Sequence, residues 1–193
     1  MLRDALATAR HMNPEFLGEH GGLMSEAERT HVPRSVQIAV YFRDHWLCAY
    51  CHRPTVFPPA FRLLAESIAS ELPDVPIAIW DGLWRRDKAP LLDELGACID
   101  HIHSLAAGGA HDVSNFATCC NRCNARKSAR SVVDYLEENP PWKVKGKYGE
   151  PEDWDGLASL FVVLARKAQR PLTTTEKNWL RAIEAYYDQK RVR

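Results

Sequence analysis

No apolar run in the 193-residue chain approaches the length of a bilayer-crossing helix, so no membrane partner is expected. A surplus of one charge is also missing, because 25 Lys and Arg balance 25 Asp and Glu. A field spread over the whole surface is thereby excluded, and any grip on nucleic acid has to be a local patch. There is no low-complexity tract and no internal repeat. With 46% hydrophobic and 26% charged residues, the composition is that of a chain able to bury a core. The opening Met1-Leu2-Arg3-Asp4-Ala5 lacks the apolar stretch of a secretory signal, so the expected location is cytoplasmic. In that compartment the six cysteines are expected as metal ligands or free thiols, not as a disulfide framework.

What is present is unevenly placed. Residues 1–32 read as an N-terminal helical extension, with a short helix starting at Ser25 on capping-box spacing to Glu28. Pro33 precedes a helical stretch over 34–43, with Val36 and Val40 on one face, that runs into Cys48-Ala49-Tyr50-Cys51. Residues 52–96 read as an insertion, in which Pro54, Pro58 and Pro59 make a loop. An amphipathic helix follows along Phe61, Leu64, Ala65, Ile68 and Leu72. Seven acids against four bases over 60–99 make this insertion a poor grip for phosphates. Residues 97–103 predict a short strand, and a second strand lies around 116–119, beyond Gly108-Gly109. From Asn121 to Glu138 the pattern is helical, ended by Pro140-Pro141. Residues 141–193 are expected as a C-terminal helical extension with one apolar stripe along Leu157, Leu160, Phe161, Leu164 and Ala168. Its last helix, capped by Thr173 and Glu176, presents Trp179, Leu180, Ile183 and Tyr187.

Two Cys-x-x-Cys pairs stand out, Cys48/Cys51 and Cys120/Cys123. Each pair can chelate from a tight turn, and together they complete the tetrahedral thiolate shell that Zn²⁺ prefers. Four thiolates leave no open position, so such a zinc would be structural, its binding energy joining the segments on either side of the insertion. The bland reading is four buried thiols. Cys119 could compete with Cys120, but only Cys120 gives the two-residue gap to Cys123. Cys98 reads as a small buried hydrophobe, and His52 as a weak alternative ligand.

Between and beyond these pairs run Asp100-His101, Gly108-Gly109, Asn115 and the segment Cys120-Asn121-Arg122-Cys123-Asn124-Ala125-Arg126-Lys127. In this order, and with Arg43-Asp44 before the first cysteine, the motifs resemble those of the HNH endonucleases in their His-Asn-Asn form. The resemblance covers about residues 33–135, within an expected nuclease domain over 33–140. It implies an α+β chain with a ββα-metal, treble-clef-like core, in which a two-stranded hairpin and a helix pinch a divalent cation. Asp100 and Asn124 would then be the ligands of that cation, His101 the general base, and Asn115 the residue that braces the loop and orients His101. Where such enzymes commonly carry an apolar residue and proline after the strand, this chain has His103-Ser104.

The chemistry needs these residue types. An imidazole titrates near neutral pH and can take a proton from the attacking water. A hard cation held by two protein oxygens keeps positions free for phosphate oxygens and water. Arg126, Lys127 and Arg130 fall close together on the helical stretch, and residues 120–147 carry seven bases against three acids. That patch is the expected phosphate grip, although a solvated helix face fits the same run of charge. The implied activity is metal-dependent hydrolysis of DNA, nicking or cutting both strands, with structural Zn²⁺ and Mg²⁺, Mn²⁺ or Ni²⁺ as the catalytic ion. Double-stranded DNA is the expected partner, with a second copy of the chain or a targeting protein as the other candidates. Restriction or anti-phage defence suits a nuclease of this size by analogy. The competing readings are a zinc-stabilised nucleic-acid-binding module without catalysis, and a ribonuclease using the same residues.

Overall fold

A computed structural model describes residues 31–72, 74, 94–141 and 154–191. The helix expected at Ser25 and most of the charged part of the insertion lie outside the described residues. Helix α1, Arg34–Arg43, buries Ile38, Val40 and Tyr41. Helix α2, Pro58–Glu71, starts on a proline at its first turn, where a missing N–H costs nothing, and buries Ala60, Leu63 and Ala65. Strands β1, Ala97–His101, and β2, Phe116–Cys120, pair antiparallel. Their register runs one to one from Ala97↔Cys120 to His101↔Phe116, with no bulge. The model is α+β, a two-stranded sheet among helices, as the resemblance implies.

Beyond β2 the helical stretch is divided. Helix α3 spans Asn121–Lys127 and helix α4 spans Val132–Glu138, where one helix to Glu138 was expected. The break falls at Ser128, whose φ of 51° lies in the left-handed region. Ser131 restarts the helix by accepting a hydrogen bond from Asp134 N at 3.1 Å. No sequence signal marks this stop, since serine is not the glycine or asparagine that such a turn favours.

Helices α5, Ala158–Lys167, and α6, Thr174–Arg191, close the structure. The capping box is formed: Thr173 Oγ1 accepts from Glu176 N at 3.2 Å, and the Glu176 carboxylate accepts from Thr173 N at 2.8 Å. These helices do not form a separate core. Phe161, Ala165 and Ile183 share one apolar cluster with Ile38, Tyr41, Trp46, Phe57 and Leu63. At its centre Trp46 is fully buried, and the backbone of Gly156 lies against it so closely that a Cβ would sit 2.1 Å from the indole.

The end of α1 is fastened to the sheet by charge. Arg43 makes a two-pronged pair with Asp44, at 2.7 and 3.0 Å, and also donates to the Val113 and Phe116 carbonyls. Asp44 Oδ2 in turn accepts from Thr118 N at 2.8 Å, so one ion pair sets where β2 begins.

Candidate active site and metal centre

The β1–β2 hairpin has a different polar cluster at each end. At the Ala97↔Cys120 end, Cys120 caps α3, its sulfur accepting from Cys123 N at 3.5 Å. Cys48 does the same for Cys51 N, also at 3.5 Å, in the turn between Leu47 and Pro54. The four sulfurs lie within 4.8 Å of one another, and Cys48, Cys120 and Cys123 are buried. Shared hydrogen bonds among them lower Cys123 to about 7 and push Cys48 upward. Four soft donors at this spacing, with no His, Asp or Glu among the described residues joining them, fit a closed tetrahedral metal centre. His52 is not part of the cluster. Cys119 is not either: its sulfur meets Cys98 across the strands at 3.3 Å.

At the other end Asp100 and His101 diverge, as alternation along a strand requires. Asp100 is buried and turns toward α3. Its Oδ2 takes a hydrogen bond from the Tyr50 hydroxyl and lies 2.9 Å from Lys127 Nζ. Lys127 also donates to the His101 carbonyl at 3.0 Å and lies 5.8 Å from the Tyr50 ring centroid. Burial first, and the Asp100 charge second, push the Tyr50 phenol well above its ordinary range, so it remains a donor.

This arrangement corrects one expectation. Lys127 was placed with Arg126 and Arg130 in the phosphate grip, yet it is 0% exposed and serves as the counter-ion of Asp100. An ammonium inside the core needs a carboxylate, and Lys127 sits one turn after buried Cys123 on the same helix face. Arg126 is exposed. Arg130 lies beyond α3, 2.6 Å from Glu138 and against the Tyr135 ring. Arg126 also lines a cavity of about 290 Å³ together with Arg53, Arg122, Tyr50 and Tyr135. Arg53 and Arg122, which the sequence reading passed over, both pair with Glu94.

His101 turns to the loop side. Its Nε2 is 3.0 Å from Nδ1 of His111, and the edge of Phe116 meets both rings. Burial first, and the neighbouring His111 second, lower the affinity of His101 for its extra proton. Asn115 is buried and clamps the two ends of the loop. Its amide donates to the His103 carbonyl at 2.9 Å and the Ala110 carbonyl at 2.7 Å, while its oxygen accepts from His103 N at 2.8 Å. Gly109 makes the closure possible, for a Cβ there would stand 2.0 Å from the His103 carbonyl oxygen. The turn that proline commonly makes is made by Ser104, whose side chain accepts from Ala106 N at 3.2 Å. His103 itself is exposed.

Asn124 stands on α3 between Cys123 and Lys127 and is half-buried. The side-chain oxygens of Asp100 and Asn124 are hard donors, suited to a magnesium-like cation rather than to a soft one. Of the Asp100 carboxylate, Oδ2 is the oxygen engaged by both Tyr50 and Lys127.

Residues 92–130 match the family model described as HNH endonuclease. The matched stretch contains β1, the Asn115 loop, β2 and α3, which are the ββα elements of such a core. No curated protein and no solved structure matches the chain. The match points broadly to phosphodiester hydrolysis, the activity that the family's description names.

Proposed function

We propose that the protein is a metal-dependent DNA endonuclease whose general base is His101 and whose catalytic cation is held by Asp100 and Asn124. The observation that carries this is the end of β1, where a buried carboxylate and a half-buried imidazole sit on successive residues inside the family-matched stretch. In the proposed reaction, His101 takes the proton from a water aimed at the phosphorus, and its lowered proton affinity favours the neutral ring that this requires. The cation, Mg²⁺, Mn²⁺ or Ni²⁺, would relieve charge on the phosphate and the leaving oxygen. Lys127 and Tyr50 hold Asp100 in one orientation. Asn115 holds the loop that faces His101, and so acts as a positioning residue.

The four-cysteine centre is assigned to structural Zn²⁺. Arg126, together with Arg122 and Arg53 around the same cavity, and Arg130 outside it are assigned to the phosphates of double-stranded DNA. The nuclease domain is proposed to span 33–140, with 1–32 and 141–193 as helical extensions. Restriction or anti-phage defence in the cytoplasm is the proposed setting, with targeting by a second copy of the chain or by another protein.

Cleavage of supercoiled plasmid tests this reading, with wild type beside His101→Ala, in each of the three cations and in EDTA. Conversion to nicked or linear DNA that disappears with EDTA and in the variant is the expected result. A folded, zinc-loaded wild type that cuts no DNA with any cation would leave the binding-module reading, and one that cuts only RNA would leave the ribonuclease.

A further inference from the structure

The loop places a second imidazole beside the first, and the chemistry above gives it no task. His101 Nε2 and His111 Nδ1 are 3.0 Å apart, with the rings inclined by 30° and their centroids 5.2 Å apart. We propose that His111 is a positioning residue for His101, accepting a hydrogen bond from His101 Nε2 and thereby fixing the tautomer that leaves Nδ1 as the basic nitrogen. The inference rests on the reading of His101 as the base and specifies which of its atoms does the work.

The argument is one of proton count. A neutral imidazole has one N–H and one lone pair, and a hydrogen bond between two ring nitrogens needs one proton between them. Were His111 the donor, His101 would carry its proton on Nδ1 and have no free lone pair for water. Only the reverse arrangement, with the proton on His101 Nε2, leaves a base. When Nδ1 takes the proton from water, His101 becomes an imidazolium, and its bond to the neutral His111 becomes charge-assisted. The proton gained at Nδ1 leaves to solvent, and the Nε2 proton stays in place throughout.

Three contacts hold the pair. The Phe116 ring centroid lies 5.0 Å from that of His101 and 5.2 Å from that of His111, both in edge-on geometry. Asn115 anchors the carbonyl of Ala110, the residue just before His111. Gly109, two residues before His111, packs against the His103 carbonyl. The Asn115 side chain would therefore orient His101 through the loop and His111, since its hydrogen bonds go to His103 and Ala110.

Nitrogen NMR of the full, zinc-loaded chain reads the tautomer without relying on activity. It is measured in wild type, His111→Phe and His111→Asn, alongside kcat and KM for plasmid cleavage. Wild-type His101 is expected as the Nε2–H form, and His111→Phe as a mixture of tautomers. In His111→Phe kcat should fall on the order of 10²-fold with KM unchanged, the scale of a misdirected general base. His111→Asn should restore most of the rate, because its Oδ1 can accept near where Nδ1 did. An Nδ1–H tautomer on wild-type His101, or a full rate in His111→Phe while His101→Ala is dead, overturns the proposal. Cleavage that survives His101→Ala is a different failure, since it removes the base itself.

Discussion

The two ends of one five-pair ladder make opposite use of polar groups. At the Ala97↔Cys120 end the chain supplies a complete shell of four sulfurs, mostly buried and closed to anything else. At the His101↔Phe116 end it supplies one carboxylate and two imidazoles, held by Tyr50, Lys127 and Asn115 in a half-exposed setting. A metal held by the first end would serve stability, as a filled coordination sphere does. The second has to admit substrate, so its ordering comes from neutralising and clamping its own residues instead. Placing both on the same short hairpin lets the rigid end set the geometry of the working one.

The comparison can be broken at either end. The largest effect is expected from Cys48→Ser, which removes one of four ligands and should cost zinc and the folded core together, read by metal content and circular dichroism. A zinc-free Cys48→Ser protein that melts like wild type would erase the distinction between the ends. His101→Ala should behave in the opposite way, losing on the order of 10²–10⁴-fold in cleavage while its melting temperature holds. Unfolding of that variant would mean a structural residue had been mistaken for a catalytic one.

Smaller effects sharpen the contrast. Lys127→Met strands the buried Asp100 carboxylate without its counter-ion and should cost about 3 kcal/mol in denaturant unfolding. A loss near zero would show that Asp100 is solvated, and that Lys127 is not what orders it. Gly109→Ala forces the loop away from the His103 carbonyl. It is expected to cost about 1–2 kcal/mol and to lower kcat more than it raises KM. A control lies far from both ends: Arg170 beside Glu176 holds that carboxyl down to about 2. Because the folded value is below the unfolded one, the stabilisation is present above pH ~5 and is lost as pH falls through about 2. Glu176→Gln should flatten that part of the acid-melting curve by about 1 kcal/mol and leave cleavage unchanged.

Much of the closed end was legible because metal ligation writes itself into spacing. Two Cys-x-x-Cys pairs predicted the cluster, and the structure gathers those four sulfurs and no others. The hairpin and α1 were equally readable, from short apolar runs and from a proline-led helix. The open end was less so. The motif pointed to Asp100, His101 and Asn115, but the partners that hold them come from 50 residues upstream, as Tyr50 does for Asp100, or from a loop without periodicity, as His111 does. Lys127 was misread as surface charge, although its helical spacing from buried Cys123 held the clue. The break at Ser128 had no clue, because a left-handed serine is a product of tertiary packing.

The Trp46 cluster bears on the order in which the protein can be made. The indole lies two residues before the first of the four clustered cysteines, yet its cluster is completed by Phe161 and Ile183, and the glycine backbone that covers it is at 156. A chain emerging from the ribosome can gather its four cysteines once residue 123 is out. The shell that buries the lead-in to those cysteines must wait for Ile183, sixty residues after Cys123. Between those two moments the metal centre could form on a half-finished support, so a truncation within α6 should give a zinc-binding protein that aggregates through the uncovered faces of α1 and α5.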